Sequence, residues 1–315
     1  MKILVTGGAG FIGSHVVDGY IKAGHDVVVV DNLFTGKREN INPEAKFYEI
    51  DIRSKGLEKI FEREKPLIVN HHAAQISVPV SVENPIFDAE VNIIGLINIL
   101  QACVKYGVKK IIFASSGGAI YGEAQEYPTS EKYPPVPLSP YAITKLTSEY
   151  YLEFYRHQYG LNYTILRYAN IYGPRQIPKG EAGVVAIFIE NLLSGRPSVI
   201  YHFPDEPDGM ARDYCYVEDV VKANILVLEN GSNEIFNIGS GKPTRTRELY
   251  KMLYDLINNS NPSLRSPLPA PPRHGDIKRS CLNIDKAKRM LGWTPNISLE
   301  EGLKKTVQWY STHKV

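Results

Sequence analysis

The segment Thr6-Gly7-Gly8-Ala9-Gly10-Phe11-Ile12-Gly13 follows the β-branched run Ile3–Val5 and opens the amphipathic stretch Ile12–Ala23. It satisfies GxGxxG through Gly8, Gly10 and Gly13, and GxxGxxG through Gly7, Gly10 and Gly13. One glycine permits a tight turn, the next lets the backbone approach a pyrophosphate, and Gly13 lets helix and strand pack closely. The helix N-terminus then offers free N–H groups and a partial positive charge to phosphates. The acidic residue expected about 20 residues further on is Asp31, ending the second strand. Its carboxylate accepts ribose hydroxyls and repels a 2′-phosphate, which favours NAD over NADP, with Lys37 and Arg38 close enough to offset part of that preference.

The first half of the chain continues the same alternation. Strands are expected at Ile3–Val5, Val27–Val30, Phe47–Glu49, Leu67–Val69, Lys110–Ala114 and Tyr163–Leu166. Helical patterns lie between them at Ile12–Ala23, Leu57–Glu64, Ala89–Tyr106 and Tyr141–Tyr159. Apolar strands separated by helices indicate a parallel sheet covered on both faces, a doubly wound α/β fold of the Rossmann kind. After Tyr168 the rhythm changes, with Gly173-Pro174, Pro178, Gly180, Pro204, Pro207 and Gly209 interrupting it. The proline-rich stretch Pro262–Gly275 excludes a helix there, and Ile284–Leu291 and Leu299–Tyr310 read as closing helices. The expected organisation is an NAD-binding domain over 1–168 and a smaller α/β substrate domain over 169–315, with 217–239 returning to the first.

Composition narrows the partners. Lys+Arg number 36 and Asp+Glu 34, so the formal charge is +2, which argues against nucleic acid or a polybasic membrane patch. The cysteines Cys103, Cys215 and Cys281 are odd in number and far apart. They fit neither a disulfide framework nor zinc, and read as reduced thiols of a cytoplasmic protein. The apolar runs Val27–Val30 and Val184–Ile189 fall short of the roughly 18 residues that a spanning helix needs. His71-His72 adjoin at a strand end and point to opposite faces, which suits hydrogen bonding rather than a metal.

Pro140-Tyr141-Ala142-Ile143-Thr144-Lys145 places Tyr141 and Lys145 at i and i+4, on one helix face. Ser139 is placed to cap that helix and Pro140 suits its first turn. A phenol with a pKa of about 10 is a poor base at neutral pH; an ammonium one turn away and a cationic nicotinamide would favour the phenolate. Upstream, Ile111–Ala114 runs into Ser115-Ser116-Gly117-Gly118 at the carboxyl end of a parallel strand, where such sheets bind ligands.

With these residues in place, the chain resembles the extended short-chain dehydrogenase/reductase family, and within it the UDP-glucose 4-epimerase group. The resemblance runs from Met1 to Trp309. TGGAGFIG (Thr6–Gly13), DNL-TG (Asp31–Gly36), DIR (Asp51–Arg53), H-AAQ (His71–Gln75) and SS---YG ending at Tyr121-Gly122 occur in order. PYA--K (Pro140–Lys145), RYAN-YGPRQ (Arg167–Gln176), RDY-YV-D (Arg212–Asp219), PR-GD (Pro272–Asp276) and LGW-P (Leu291–Pro295) follow. The resemblance implies a redox-neutral inversion of UDP-glucose and UDP-galactose through a 4-keto sugar, with Tyr141 as acid–base and Lys145 holding the nicotinamide ribose. It implies cofactor contacts from Gly7, Gly10, Phe11, Ile12, Gly13, Asp31, Asn32, Asp51, Ile52, Ala73, Asn92 and Tyr168. It implies sugar-nucleotide contacts from Asn170, Val184, Arg212, Arg273, Asp276 and Ser280, no metal, and a homodimer pairing the helices Ala89–Tyr106 and Tyr141–Tyr159.

The serine strand departs from the family form SSSA-VYG by one extra residue before Tyr121. Ser116 is then the proton-relaying candidate, whereas counting back from Tyr121 reaches Gly117. Dehydratases of the superfamily carry an Asp-Glu pair after the fifth strand, and this chain has Gly117-Gly118 there. Neighbouring alternatives are a UDP-N-acetylglucosamine 4-epimerase, a UDP-glucuronate epimerase or decarboxylase, and, from another class, a non-catalytic NAD-sensing regulator. In the family, the position four residues after Asp276 borders the sugar's 2-substituent. Ser280 is small there, which leaves room for an acetamido group, with Arg279 beside it long enough to fill the same space.

Overall fold

A computed structural model describes residues 1–178, 183–257, 261–273 and 275–313, so Gly180 lies outside the described residues. A seven-stranded parallel sheet forms the larger layer. Its strands are β1 (Lys2–Thr6), β2 (Asp26–Asp31), β3 (Lys46–Glu49), β4 (Ile68–His71), β5 (Lys110–Ser116), β6 (Asn162–Tyr168) and, from the second half, β10 (Glu234–Ile238). The order β3-β2-β1-β4-β5-β6-β10 reverses direction between β1 and β4, the point where such sheets open a ligand crevice. All six strands expected from sequence form, each within two residues of its expected ends.

Helices α1 (Phe11–Lys22), α2 (Leu57–Glu64), α3 (Val78–Glu83), α4 (Pro85–Ala89), α5 (Gly95–Lys105), α6 (Gly117–Ile120) and α7 (Pro140–Tyr159) belong to the first half. Val28, Val30, Ile111, Phe113 and Ile165 on one sheet face pack on Leu57, Phe61, Leu96, Ile99 and Leu152. The other face packs on α1 and α9 (Val217–Leu226). Each such fully buried aliphatic side chain contributes about 1.5–3 kcal/mol. The apolar stretch at 217–228, which sequence offers as a return to the sheet, is helix α9; the returning strand is β10, which follows it and pairs with β6. Helix α9 lies so close to α1 that a Cβ on Gly19 would stand 2.3 Å from Val221 Cγ1.

The remaining elements are β7 (Asn170–Tyr172), α8 (Val184–Leu193), β8 (Val199–Tyr201), β9 (Ala211–Tyr216), β11 (Pro243–Arg245), α10 (Thr246–Ile257), β12 (Leu268–Ala270), β13 (Arg279–Ser280), α11 (Asp285–Leu291) and α12 (Leu299–Thr312). Strand β9 is the centre of a four-stranded sheet with β7, β11 and β13, while β8 and β12 form a pair. The two closing helices stand where the sequence suggests, and the proline-rich stretch contains only a short 3-10 turn and β12 among its described residues.

One expectation is corrected. Pro85–Lys105, a π-helical turn at Glu90–Ile94 included, is 21 residues long and apolar enough by composition to cross a membrane. Unbroken apolar runs hide this, because Glu90, Asn92 and Asn98 punctuate the stretch. One side buries Leu96, Ile99, Leu100 and Cys103 in the core, while Ile86 and Ile94 are exposed on the other. That is the pattern of a core helix with a second apolar face.

Candidate active site

The glycine loop closes on itself by hydrogen bonds. Gly7 N–H donates to Val30 O and Gly10 N–H to Gly7 O. Gly7 has φ +70°, and a Cβ there would stand 2.6 Å from Ala73 N; a Cβ on Gly13 would stand 2.1 Å from Gly7 O. No side chain caps the first turn of α1, so its N–H groups face a cleft of about 1050 Å³. A glycine cradle at a helix N-terminus without a side-chain cap fits a pyrophosphate.

Asp31 closes the far wall. Its Oδ2 accepts from Ala9 N at 3.0 Å and its Oδ1 from Leu33 N at 2.8 Å, while burial raises its pKa against those bonds. Lys37 pairs with Glu39 and Arg38 with Glu49, and neither cation lines the cleft. The offset that sequence assigns to them is therefore absent, and the acidic wall favours a free ribose hydroxyl. Asn32 donates to Asp51 Oδ2 at 2.9 Å, and Arg53 grips the same carboxylate and holds its pKa at about 2. Gly10, Phe11, Ile12, Ile52, Ala73 and Tyr168 also line this end. Asn92 does not. Its side chain is buried and bonds Gln75 and Thr144 instead.

The carboxyl end of β5 meets α7 at the middle of the cleft. Ser139 Oγ accepts from Ala142 N at 3.2 Å, and Pro140 opens the helix, as sequence indicates. Ser116, Tyr141 and Lys145 all line the cleft. Burial pushes the Tyr141 phenol up to about 12, against the Ser116 side chain, which works to lower it. Lys145 Nζ donates to Ala114 O at 2.8 Å, and burial pulls its pKa down to about 8. The ammonium faces a carbonyl, 5.9 Å from the Tyr141 ring centroid. Burial, not the lysine, thus decides the state of the phenol in this cavity. His71 Nδ1 stands 2.6 Å from Thr6 Oγ1, and His72 stacks on Tyr168; burial lowers both pKa values, so both rings are neutral hydrogen-bonding groups.

Ser116 and Gly117 take different surroundings. A Cβ on Gly117 would collide with Leu282 Cδ1 at 2.7 Å, so that position turns away from the cleft. The wall is Ser116, Gly118 and Ala119, with Asn170 Oδ1 3.6 Å from where a Gly118 Cβ would sit. Gly117 packs on Leu282 and is not among the residues lining the cleft.

On the far side, Asn170, Val184, Arg212 and Arg273 line the cleft. Arg212 is half-buried and donates to the carbonyls of Ile277 at 2.8 Å and Ala211 at 3.0 Å. No carboxylate pairs with it among the described residues, so burial lowers its pKa and an incoming anion would find an uncompensated guanidinium. Arg273 lies over the Tyr201 ring at 4.7 Å and pairs with Asp276.

Asp276 and Ser280 do not line the cleft. Asp276 holds Arg273, and Ser280 is buried in β13 opposite Arg212 of β9. Arg279 is drawn off by Glu206 at 2.7 Å. A count from a motif does not tell which side of a strand a residue takes. Sequence reasoning passed over Phe34, Arg53, Gln75 and Phe87 at the cofactor end, and Phe188, Tyr201, Met210 and Thr246 at the other. Arg53 and Gln75 stand inside the motifs DIR and H-AAQ; the rest carry no pattern.

Residues 3–239 match the model of the NAD dependent epimerase/dehydratase family. The chain is 52% identical to a crystal structure of UDP-glucose 4-epimerase with UDP-glucose from Thermotoga maritima, with a TM-score of 0.94 over 99% of both chains. It is 46% identical to the UDP-glucose 4-epimerase of Thermus thermophilus in complex with NAD, at a TM-score of 0.93 and 99% of both chains. A putative UDP-glucose 4-epimerase of Methanocaldococcus jannaschii is 48% identical over 98% of this chain and 97% of its own length.

Proposed function

Because this chain belongs to the NAD dependent epimerase/dehydratase family, we propose that it interconverts UDP-glucose and UDP-galactose by reversible oxidation at the sugar's C4. The observation that carries the reading is the cluster of Ser116, Tyr141 and Lys145 facing the glycine cradle across one cleft. Among the described residues lining that cleft, the carboxylates are Asp31 and Asp51, both at the cofactor end. Elimination of a sugar hydroxyl lacks its carboxyl acid and base there, whereas the acid–base group that epimerisation needs is the Tyr141 phenol.

NAD, when bound, supplies the hydride acceptor and donor at C4. Gly7, Gly10 and Gly13 admit its pyrophosphate, and Asp31 takes its ribose hydroxyls. Tyr141 removes the 4-hydroxyl proton and returns it after the keto sugar has turned over, with Ser116 relaying that proton. Lys145 brings a positive charge to the ribose side of the same turn. Arg212 and Arg273 clamp the diphosphate, a task suited to planar, multiply donating groups. Their hold leaves the sugar free to present either face.

The exposed apolar side chains Ile86 and Ile94 belong to elements packed on α7, whose exposed face carries Ile143, Tyr150 and Phe154. This apolar face suits a second copy of the chain, and so a homodimer. Cys103, Cys215 and Cys281 are free and buried, which suits a reducing, cytoplasmic setting. Incubating the purified holoenzyme with UDP-galactose and no added reductant tests the function. UDP-glucose should accumulate to equilibrium with no net NADH. A dehydrated 4-keto product, stoichiometric NADH release or no turnover refutes it.

A further inference from the structure

The catalytic turn of α7 is tied to a group that touches neither cleft nor solvent. Asp88, in α4, is fully buried. Its Oδ1 accepts from Gln75 Nε2 at 2.7 Å and from Asn92 Nδ2 at 3.1 Å, and its Oδ2 accepts from Thr144 Oγ1 at 2.7 Å. Three donors converge on it, and no cation pairs with it among the described residues. Thr144 directly precedes Lys145 on α7, three residues after Tyr141. Gln75 belongs to the loop after β4 that lines the cofactor end, and its Oε1 accepts from Ser77 N at 2.6 Å. Asn92 sits in the π-helical turn, bonds both the N–H and the carbonyl of Gln75, and offers its own carbonyl to Ser148 of α7. A π-helical turn inside a longer helix commonly marks a functional position.

We propose that Asp88 is a positioning residue for the epimerisation: its buried carboxylate locks the Tyr141–Lys145 turn of α7 to the cofactor loop and places a fixed negative charge behind both side chains. The inference rests on the reading that Tyr141 and Lys145 carry the reaction. A carboxylate buried without a paired cation is costly, and stability alone gives no reason to keep one where an amide accepts from the same neighbours. Its field has recipients on the page: the Asp88 charge works to raise the pKa of Tyr141 and of Lys145 alike. The other groups facing that pair are Glu149 on α7, which acts on Lys145 in the same direction, and Ser116 on β5, which works to lower the phenol's pKa. From β4, His71 and His72 face Lys145 as neutral rings. Asp88 and Glu149 together keep the ammonium charged against its burial.

The test compares the wild-type holoenzyme with Asp88→Asn, Asp88→Glu, Thr144→Val and Tyr141→Phe in UDP-galactose turnover across pH. Asp88→Asn keeps the volume and removes the charge, so kcat at neutral pH should fall at least about tenfold, or about 1.4 kcal/mol. KM for UDP-galactose should stay within about threefold, since Asp88 touches no substrate. Both limbs of the kcat–pH profile should move to lower pH, because both groups lose a proton-retaining neighbour. Asp88→Glu should return the limbs toward their wild-type positions while kcat stays low, the charge restored and the geometry not. Thr144→Val removes the donor to Oδ2 but leaves the charge, so kcat should fall with the limbs in place. An Asp88→Asn protein with wild-type kcat per folded molecule and unmoved limbs overturns the proposal. Where Asp88→Asn does not fold, a wild-type kcat in Thr144→Val overturns it instead. Tyr141→Phe separates the two layers: if it retains turnover, the reading of the site fails; if it is inactive while Asp88→Asn is normal, only the role of Asp88 fails.

Discussion

Gly13→Ala is the sharpest test of the cofactor cradle, because the structure fixes what one methyl group must displace. The new Cβ would stand 2.1 Å from Gly7 O and 2.8 Å from Gly7 C. Carbon–oxygen contacts settle at about 3.3 Å or beyond, so the carbonyl must retreat by about 1 Å. Gly7 has nowhere to go: it holds φ +70° and its own Cβ position is 2.6 Å from Ala73 N. Overpacking of this kind costs about 1–3 kcal/mol of stability. Cofactor binding suffers more, since a loop moved that far misaims its N–H groups. Losing two hydrogen bonds to a charged pyrophosphate, each worth about 1.5–3 kcal/mol, weakens NAD by about 10²–10⁴-fold. Wild-type protein should purify with NAD bound and Gly13→Ala without it, read by chromatography of the acid extract. Gly24→Ala is the control. Its φ is +82° with open space around it, so it should cost about 1 kcal/mol of backbone strain and leave NAD content unchanged. A Gly13→Ala protein carrying wild-type NAD refutes the reasoning.

Tyr141→Phe removes the positioned acid–base group and should lower kcat by about 10²–10⁴-fold while NAD content and melting temperature hold; near wild-type turnover would discard the proposed chemistry. Lys145 is buried and held at about 8 rather than 10.5, so the unfolded chain binds more protons between those values and stability climbs with pH across that window. Lys145→Met should therefore abolish turnover, flatten that climb and stabilise the fold at pH 7 by up to about 3 kcal/mol; a less stable variant with an unchanged slope counts against this account. Ser280→Tyr should destabilise the β9–β13 pairing yet leave the kcat/KM ratio of UDP-galactose to UDP-N-acetylgalactosamine unaltered, since Ser280 is off the cleft wall; a shifted ratio restores it as the gate. Phe154→Glu, on the exposed face of α7, should sediment as a monomer, and an unchanged mass would place the second copy elsewhere.

Local chemistry explains which parts were legible in the sequence. Strands β1, β2, β5 and β6 are mostly apolar runs buried on both faces, so their positions can be read without knowing their neighbours. The helix α7 carries its own start signal in Ser139-Pro140 and its stop in Gly160, which takes φ +71°. Helix α9 was harder. Val217–Leu228 is apolar enough to suit a strand or a buried helix, and only its packing on α1 decides between them. The buried network of Asp88, Gln75, Asn92 and Thr144 joins three segments far apart in the chain, so no spacing rule reaches it.

The second half shows why motif counting loses its power at the sugar side. Strands β7, β9 and β13 come from three distant stretches, and each residue's role depends on which face of a short strand it takes. Arg212 and Asp213 are neighbours in one motif, yet alternation sends them opposite ways. Arg212 enters the cleft, while Asp213 is fully buried and accepts from Ser240 N at 2.6 Å, Gly241 N at 3.1 Å and Leu282 N at 3.2 Å. That carboxylate fastens the turn after β10 and the chain after β13 to β9, and so sets where Arg212 points. Ser280 is buried in β13 beside Arg212, and a Cβ on Gly117, at the start of α6, would meet Leu282. At this end of the molecule a motif names the strand, and the register between strands assigns the side chain.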